Sequence, residues 1–388
     1  MGCTTLTRIM GFVRMFVFAY FFGNTATADV INAVFHIPNS LRMLFAEGAL
    51  SSAFIPALSS SLVADPTGER ARRIVRNLFG FIIVLLIPLL GAATLFSAQV
   101  VGTLIPFKDP DSQALAAELF RWISWYLFFI SLSAILMGAL NAKQRFVVPA
   151  IVPLLFSVTV ILSLTLLPIP LEYRMVAGIL TGGVAQVLMQ VPAFFRARYS
   201  LMPSFRFKNP EFLKILAQWV PVVLSASIFS INQLFANFFA AGLAKGSVSA
   251  LQYAVVYFQL PLGIFANSVI IVMFPRMSSQ VAREDRSGLK ESVRYGLRFI
   301  LLLLVPSTLM LIFFGEDLIS VTLQHGAFTR EGTLLTAGVL SAFAVGLFAS
   351  GALAFFQRLF YSMKDYIRPL VTAVVMLAVD VGFSLVLK

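Results

Sequence analysis

Charged residues, cysteine and histidine are all scarce in this chain of 388 residues. The single cysteine, Cys3, excludes a disulfide framework, and together with His36 and His325 it offers no zinc-ligand spacing. Neither histidine has an acid or a cysteine close to it in sequence, and no set of residues resembles a Ser-His-Asp triad or a pair of catalytic carboxylates. The sequence therefore predicts a protein that is not an enzyme and that has neither a metal nor a cofactor.

Charged residues make up 12% of the chain and apolar residues 59%. Soluble domains contain about 25% charged and about 45–50% apolar residues, and a soluble protein of this length has too little interior to bury the excess. The runs 79–96, 147–167 and 299–314 have the length of membrane-spanning helices. No cleavable secretory signal is evident, because Arg8 and Arg14 interrupt the first apolar stretch.

The apolar stretches between polar breaks predict about eleven transmembrane helices and thus an all-α polytopic membrane protein. Pro38 in the second helix and Pro261 in the eighth favour a bend or a break. The predicted helices lie near 5–22, 28–62, 77–104, 118–141, 147–168, 174–195, 212–242, 249–275, 293–314, 332–361 and 367–387.

The basic residues indicate the orientation of the chain. Of the 29 Lys and Arg residues, twenty lie in alternate connections and their helix edges, and only four lie in the intervening ones. This bias predicts a bacterial inner-membrane protein with a cytoplasmic N-terminus. It also accounts for the net charge of +12 without a nucleic-acid partner, because the basic residues are spread over five loops and form no single patch.

An internal repeat runs through the chain with a period of about 220 residues. Phe54–Ser60 aligns with Met273–Ser279. Three pairs of prolines follow the same period: Pro56 and Pro275, Pro88 and Pro306, and Pro149 and Pro369. The repeat predicts two six-helix bundles of the same orientation, as found in secondary transporters with a substrate site at the repeat interface. A duplicated scaffold without transport activity is the alternative.

The repeat also predicts two domains. The N-terminal lobe, 1–200, contains six helices, and the C-terminal lobe, 201–388, contains about five. The second bundle is expected to be incomplete, because its sixth helix would fall near 394–415, beyond Lys388.

Apart from the charges at the connections and their helix edges, seven charged residues fall within the predicted helices: Arg8, Arg14, Asp29, Arg42, Glu47, Arg121 and Asp380. Each costs about 3 kcal/mol at the centre of a membrane helix, so each is expected to face a partner or a wet cavity. The first five lie in the first two helices and together form a net cationic wall. An anionic headgroup complements such a wall, because guanidinium groups bind phosphate bidentately. These five residues are the candidate substrate-binding residues.

Alternative interpretations exist for several of these charges. Arg8 lies near the start of its helix, where snorkelling to the membrane surface explains it equally well. Arg42 and Glu47 are five residues apart and can pair with each other through a bend or with other helices. Arg121 and Asp380 are lone charges on apolar helices and fit structural hydrogen bonding. Asp380 is also a weak candidate for binding a monovalent coupling cation.

Several motifs occur in order along the chain. The most specific is the second-helix stretch Ile37-Pro38-Asn39-x-Leu41-Arg42 with Phe45-Ala46-Glu47-Gly48-Ala49-x-Ser51-x-Ala53-Phe54-x-Pro56. Others are Thr7-Arg8-x-x-Gly11-x-x-Arg14, Asn141-x-x-x-Arg145-Phe146-x-x-Pro149, Gly182-Gly183-Val184-x-Gln186-x-x-x-Gln190-x-Pro192 and Gln324-x-Gly326-x-Phe328-Thr329. Over essentially the whole chain, they resemble the MurJ/MviN family of the multidrug/oligosaccharidyl-lipid/polysaccharide exporter superfamily.

The resemblance implies a fold of fourteen helices, three more than are counted here. It implies transport of lipid II, an undecaprenyl-pyrophosphate-linked peptidoglycan precursor, from the inner to the outer leaflet. The parallel repeat predicts that transport occurs by alternating access, through rocking of the two halves around a central cavity. The expected partners are thus a lipid-linked anionic substrate and membrane lipids. Arg8, Arg14 and Arg42 match the family's essential cavity arginines, and Asp29 and Glu47 match its acids.

The sequence departs from the family pattern at four positions. Met15 replaces an acid, Val255-Val256 replaces an Asp-Arg pair, and Gln259 replaces a nearby acid. A pyrophosphate site with cations on one wall is expected to bind more weakly or differently. Two further functions therefore remain open: a cation-coupled exporter of amphipathic drugs that depends on Asp380, and a non-transporting paralogue. The sequence indicates no oligomeric state.

Overall fold

The structure, a computed structural model, describes residues 2–42, 49–65, 67–208, 210–363, 365 and 367–386. Every regular element within these ranges is helical, which confirms the predicted all-α fold. The first ten helices are α1 Gly2–Phe22, α2 Ala26–Arg42, α3 Ala49–Ala64, α4 Glu69–Leu95, α5 Ser97–Leu104, α6 Pro110–Ile123, α7 Tyr126–Ala142, α8 Val147–Leu166, α9 Leu171–Arg196 and α10 Pro210–Ala241. The remaining six are α11 Ser247–Pro261, α12 Asn267–Ala282, α13 Arg286–Leu323, α14 Arg330–Val345, α15 Leu347–Ser362 and α16 Ile367–Val386.

The chain forms two compact units. Unit 1 contains Met1–Phe21 and Ala26–Ala244, and unit 2 contains Phe22–Thr25 and Lys245–Lys388. Helix α10 therefore belongs to unit 1. The domain boundary at residue 200, which follows the sequence repeat, stays a prediction.

Among the described residues, candidate membrane-spanning helices are fewer than the eleven expected from the sequence. Within the described residues, seven helical stretches are long and apolar enough to cross a membrane, or eight if α14 and α15 form one bent span. The predicted spans near 5–22, 28–62 and 212–242 are not among these stretches, which accounts for the lower count. The predicted helix 77–104 is split into α4 and α5 at Phe96, and α14 meets α15 at an angle of 48°. Eleven spans are thus not confirmed, and the cytoplasmic position of the N-terminus stays a prediction.

Of the two prolines singled out in the sequence, Pro261 lies where its helix changes, whereas Pro38 lies inside α2. Helix α11 ends at Pro261, and a π-helical turn, Leu262–Ala266, connects it to α12. Proline has no backbone N–H to donate, so the helical hydrogen-bond pattern changes there. The predicted helix 28–62 is α2 and α3, separated by 43–48, which lie outside the described residues.

The proline pairs of the sequence repeat fall on helices in corresponding order. Pro56 and Pro275 lie inside α3 and α12, and Pro88 and Pro306 lie inside α4 and α13. Equivalent proline positions in helices of the same order support a duplicated helical pattern within the two units.

Helices α8 and α9 approach each other closely in unit 1 because glycines line their contact. A Cβ atom built on Gly178 would lie 2.8 Å from the Cα of Val160. A Cβ atom on Gly182 would lie 2.9 Å from the Cδ2 of Phe156 and 2.6 Å from the Oγ1 of Thr159. Small residues let membrane helices pack with their backbones close together. This contact fixes the position of Phe156 beside α9.

The ends of α7 and α9 are joined by Lys143. Its Nζ donates a hydrogen bond of 2.6 Å to the backbone oxygen of Ala197 and lies 4.6 Å from the ring centroid of Tyr199. Burial, together with the charges of Arg145, Arg72 and Arg198, lowers the pKa of Lys143. Burial raises the pKa of Tyr199 to about 12. Lys143 therefore holds α7 in register with α9.

In unit 2, the segment Phe22–Thr25 packs against the ends of α11 and α14. Gly23 has φ +56°, and a Cβ atom there would lie 2.2 Å from the backbone oxygen of Ala327. The hydroxyl of Tyr253 donates a hydrogen bond of 3.0 Å to the oxygen of Gly23. The Nδ2 of Asn24 donates to the Oγ1 of Thr336 at 3.3 Å. Only glycine fits position 23, because the backbone is left-handed and another backbone lies against it.

The glycine contact between α8 and α9 gives a test of the fold. We expect Gly178→Ala to lower the free energy of unfolding by about 1–3 kcal/mol, because the clash is with backbone and no rotamer change can relieve it. The measurement is the thermal unfolding midpoint of the purified protein in detergent. Gly91→Ala in α4 is the matched control, since no heavy atom lies within 4 Å of its Cβ position. Equal midpoints for the two variants would contradict the close packing.

Candidate functional site

A cavity of about 360 Å³ opens within unit 1, between α1, α2, α7, α8 and α9. The lining residues of α1 are Thr7, Gly11 and Arg14, and those of α2 are Phe35, Asn39 and Arg42. Both sets follow the spacing i, i+4, i+7, so each comes from one face of its helix. Other polar or aromatic lining residues are Tyr126, Ser133, Phe156, Ser157 and Gln186.

Two of the five predicted substrate-binding residues, Arg14 and Arg42, meet in this cavity. The guanidinium carbon of Arg14 lies 5.1 Å from the ring centroid of Phe156. The Nε of Arg42 donates a hydrogen bond of 3.1 Å to the Oδ1 of Asn39. The two guanidinium groups are close enough for their like charges to oppose each other. The cavity is therefore cationic on the side formed by α1 and α2.

Arg14 is held mainly by aromatic side chains. Phe156 stacks on Phe35 at 5.7 Å and lies 5.3 Å from Tyr126, centroid to centroid. Cation–π attraction offsets part of the cost of removing a guanidinium from water. The buried Nε of Arg14 has no hydrogen-bond partner among the residues that the structure describes. Arg14 thus keeps a donor for an anionic ligand.

The other predicted site residues lie elsewhere. Arg8 is exposed and does not line the cavity, because it falls on a different face of α1 from Thr7, Gly11 and Arg14. Asp29 is buried in the first turn of α2, away from the lining face. Glu47 lies outside the described residues.

Arg121 and Asp380, the two lone charges on apolar helices, lie outside the cavity. The Nε of Arg121 donates a hydrogen bond of 2.9 Å to the Oγ of Ser97, in line with a structural role. Asp380 is exposed on α16. No group of three or more potential metal ligands occurs in the part of the chain that the structure describes.

The four uncharged residues at which the sequence departs from the family pattern lie on two helices, α1 and α11. Met15 is half-buried on α1, next to Arg14. Val255 and Val256 are half-buried on α11 of unit 2, and Gln259 is exposed there. None of the four is a lining residue of the unit 1 cavity.

Sequence reasoning missed the neutral polar side of the cavity. Gln190, buried behind the lining, donates from Nε2 to the Oγ of Ser133 at 2.7 Å and to the backbone oxygens of Ser133 at 3.2 Å and Gln186 at 3.0 Å. The available signal was a pair of glutamines four residues apart in the uncharged stretch of α9 between Arg174 and Arg196. Such a pair lies on one helix face and needs polar partners.

The cavity can therefore bind a ligand of mixed character. Two guanidinium groups suit phosphate oxygens. Hydroxyl and carboxamide groups on the side of α7 and α9 suit uncharged hydrogen-bonding groups. No carboxylate is found among its described lining residues, so anions are favoured over cations.

Comparisons with known proteins agree with these features. A family profile described as "Lipid II flippase MurJ" matches residues 18–388. A "Probable lipid II flippase MurJ" from Borreliella burgdorferi is 31% identical over 382 residues, covering 98% of this chain and 75% of the relative. A protein of the same name from Vibrio cholerae is 30% identical over 377 residues, covering 94% of this chain and 72% of the relative.

Solved structures show a similar fold. The structure "Lipid II flippase MurJ, inward closed conformation" matches with a TM-score of 0.82 at 25% identity, covering 97% of this chain and 78% of that chain. An inward-facing multidrug resistance MATE family transporter of the MOP superfamily matches with a TM-score of 0.77 at 13% identity, covering 95% of this chain and 84% of that chain. The second likeness concerns the fold alone.

The cationic wall gives a binding prediction. We expect Arg14→Ala to weaken binding of inorganic pyrophosphate by about tenfold or more, because removing a charge-assisted hydrogen bond costs about 1.5–3 kcal/mol. Isothermal titration calorimetry on the purified protein measures the change. Arg298→Ala, an equal charge change at an exposed position of α13, is the control and should bind as the unaltered chain does. Equal loss in both variants would mean that only net charge matters.

Proposed function

This chain belongs to the lipid II flippase family MurJ, and on that basis we propose that it moves lipid II across the bacterial inner membrane. The observation that carries the proposal is the pair Arg14 and Arg42 lining one cavity of unit 1. Lipid II has an anionic pyrophosphate between its polyprenyl tail and its sugars. The two guanidinium groups are the complement of that pyrophosphate.

In this proposal Arg14 is the main anchor for the pyrophosphate. A guanidinium in an apolar helix is costly unless its donors are satisfied. Phe156 stabilises the face of the Arg14 guanidinium, and its buried Nε is left for the ligand. Arg42, oriented by Asn39, contributes the second cation. The polyprenyl tail stays in the lipid while the headgroup occupies the cavity.

Transport follows alternating access, as in other transporters built from parallel repeats. We propose that Arg8, which is exposed near the start of α1, meets the headgroup before it reaches the cavity. Asp29 and Glu47 would position the arginines in other stages of the cycle. With Met15 and Val255-Val256 uncharged, the attraction for the pyrophosphate comes from α1 and α2.

The cation-coupled export of amphipathic drugs is the second candidate. The aromatic residues Phe35, Tyr126 and Phe156 in the cavity favour it, because apolar rings bind drug-like molecules. In that case a monovalent cation would drive transport, and Asp380 would bind it. The absence of a lining carboxylate in the described part of the cavity argues against cationic drugs.

A complementation experiment tests the proposed function. We expect the chain to restore growth of a bacterium depleted of its own lipid II flippase, and Arg14→Ala to abolish that rescue at an unchanged protein level in the membrane. The anchor of the pyrophosphate is lost in this variant, whereas Arg298→Ala should still rescue. A fully active Arg14→Ala protein would contradict the role of Arg14. Failure of the unaltered, well-inserted chain together with cation-dependent drug efflux would favour the second candidate.

A further inference from the structure

A neutral hydrogen-bonding cluster, formed by Ser133, Gln186 and Gln190, lies beside the cavity of unit 1. Ser133 on α7 and Gln186 on α9 line the cavity and are 3% exposed. Gln190, one turn further along α9, is fully buried and does not line it. The proposed pyrophosphate anchor does not use any of these three residues.

The orientation of the Gln190 carboxamide is determined by its neighbours. Its Nε2 faces the backbone oxygens of Ser133 and Gln186 as well as the Oγ of Ser133. Backbone oxygens can only accept hydrogen bonds, so the amide nitrogen must be on that side. The carboxamide therefore donates to the Ser133 hydroxyl and does not accept from it.

This geometry determines what Ser133 can do. A hydroxyl has one hydrogen to donate and can accept as well. Because the Oγ of Ser133 accepts from Gln190, its own hydrogen is not used in that contact. Ser133 is thus prepared to donate a hydrogen bond to a group in the cavity.

Gln190 bears a cost that a packing role alone does not explain. Its Oε1 is buried and has no hydrogen-bond partner among the described residues. An unsatisfied buried acceptor is unfavourable, and an apolar side chain of similar size would avoid that penalty. A role in orienting Ser133 explains why a carboxamide occupies this position in spite of its unsatisfied oxygen.

The distance between the cluster and the aromatic support of Arg14 suits an extended headgroup. Tyr126, whose ring contacts Phe156, and Ser133 are seven residues apart on α7, which corresponds to about 10 Å along the helix axis. A sugar attached to a phosphate at Arg14 would share the cavity with Ser133 and Gln186, which line it too. These two residues offer hydroxyl and carboxamide groups, which hydrogen-bond to sugar hydroxyls and amides.

We propose that Ser133 and Gln186 form a subsite for the sugar next to the pyrophosphate, and that Gln190 is the residue that positions Ser133. The ligand class is a glycosyl pyrophosphate carried on a lipid. The inference rests on the proposed function and adds to it how the sugar-bearing substrate is distinguished from the bare lipid pyrophosphate.

The test compares two ligands on the full chain in detergent: undecaprenyl pyrophosphate, which has no sugar, and lipid II. We expect Ser133→Ala to weaken lipid II binding by about three- to tenfold, the value of one neutral hydrogen bond, and to leave undecaprenyl pyrophosphate binding unchanged. Gln190→Leu should give the same selective loss, although Gln190 does not line the cavity. Ser133→Thr, which keeps the hydroxyl, should restore lipid II binding.

The chain offers a close control in Ser131→Ala. Ser131 is on the same helix, is 1% exposed, does not line the cavity, and its hydroxyl has no partner among the described residues. This variant should bind both ligands as the unaltered chain does. Arg14→Ala should lose both ligands, because the pyrophosphate is common to them.

The outcomes separate the inference from the proposed function. Equal losses for both ligands in Ser133→Ala, or no loss for either, would overturn the sugar subsite while leaving lipid II as substrate. Failure of the unaltered chain to bind either ligand would overturn the proposed function and the subsite together. Selective loss in Ser133→Ala that Ser133→Thr does not restore would overturn the role of the hydroxyl.

Discussion

The structure of unit 1 depends on how a guanidinium is held among apolar helices. Arg14 lies on the face of Phe156, and Phe156 in turn packs against Gly182 of α9, where even a Cβ atom would come within 2.9 Å of its ring. A larger residue at position 182 would displace the ring that supports the cation. The close contact of α8 with α9 therefore supports the position of Arg14 as well as the fold, because cation–π attraction falls off quickly with separation.

The same helices give the cavity two chemically different sides. Helices α1 and α2 supply guanidinium groups, and α7 and α9 supply a hydroxyl and carboxamides. A side-chain contact orients one residue on each side: the lining residue Asn39 orients Arg42, and Gln190, behind the lining, orients Ser133. At the end of these helices, the bond from Lys143 to the oxygen of Ala197 keeps α7 and α9 in register. Preorganised polar groups in a site with little water bind more strongly than the same groups in water.

Much of this arrangement could be predicted from the sequence. The rest could not, because it depends on helix faces, backbone conformations and contacts between helices. Composition and the motifs predicted a helical membrane transporter and identified Arg14 and Arg42. Arg8 was grouped with them because it is close in sequence, but its position on α1 places it on another helix face. Helix ends were harder to predict. Gln144, Arg198 and Glu284 adopt left-handed backbone conformations, for which glycine is the usual signal, so no glycine marked these turns. Gln190 was visible in a motif, but its effect on Ser133 depends on contacts between helices.

A cavity with cations on one side has a consequence for transport. A carrier must bind its substrate and then release it, so excessive affinity slows the cycle. In the proposed function, the attraction for pyrophosphate comes from Arg14 and Arg42 on α1 and α2. Neutral hydrogen bonds of the kind that Ser133 can donate add discrimination at a smaller cost in release rate, because each is worth less than a charge-assisted bond. Under this proposal, selectivity for the sugar depends on α7 and α9, and release of the phosphate depends on α1 and α2.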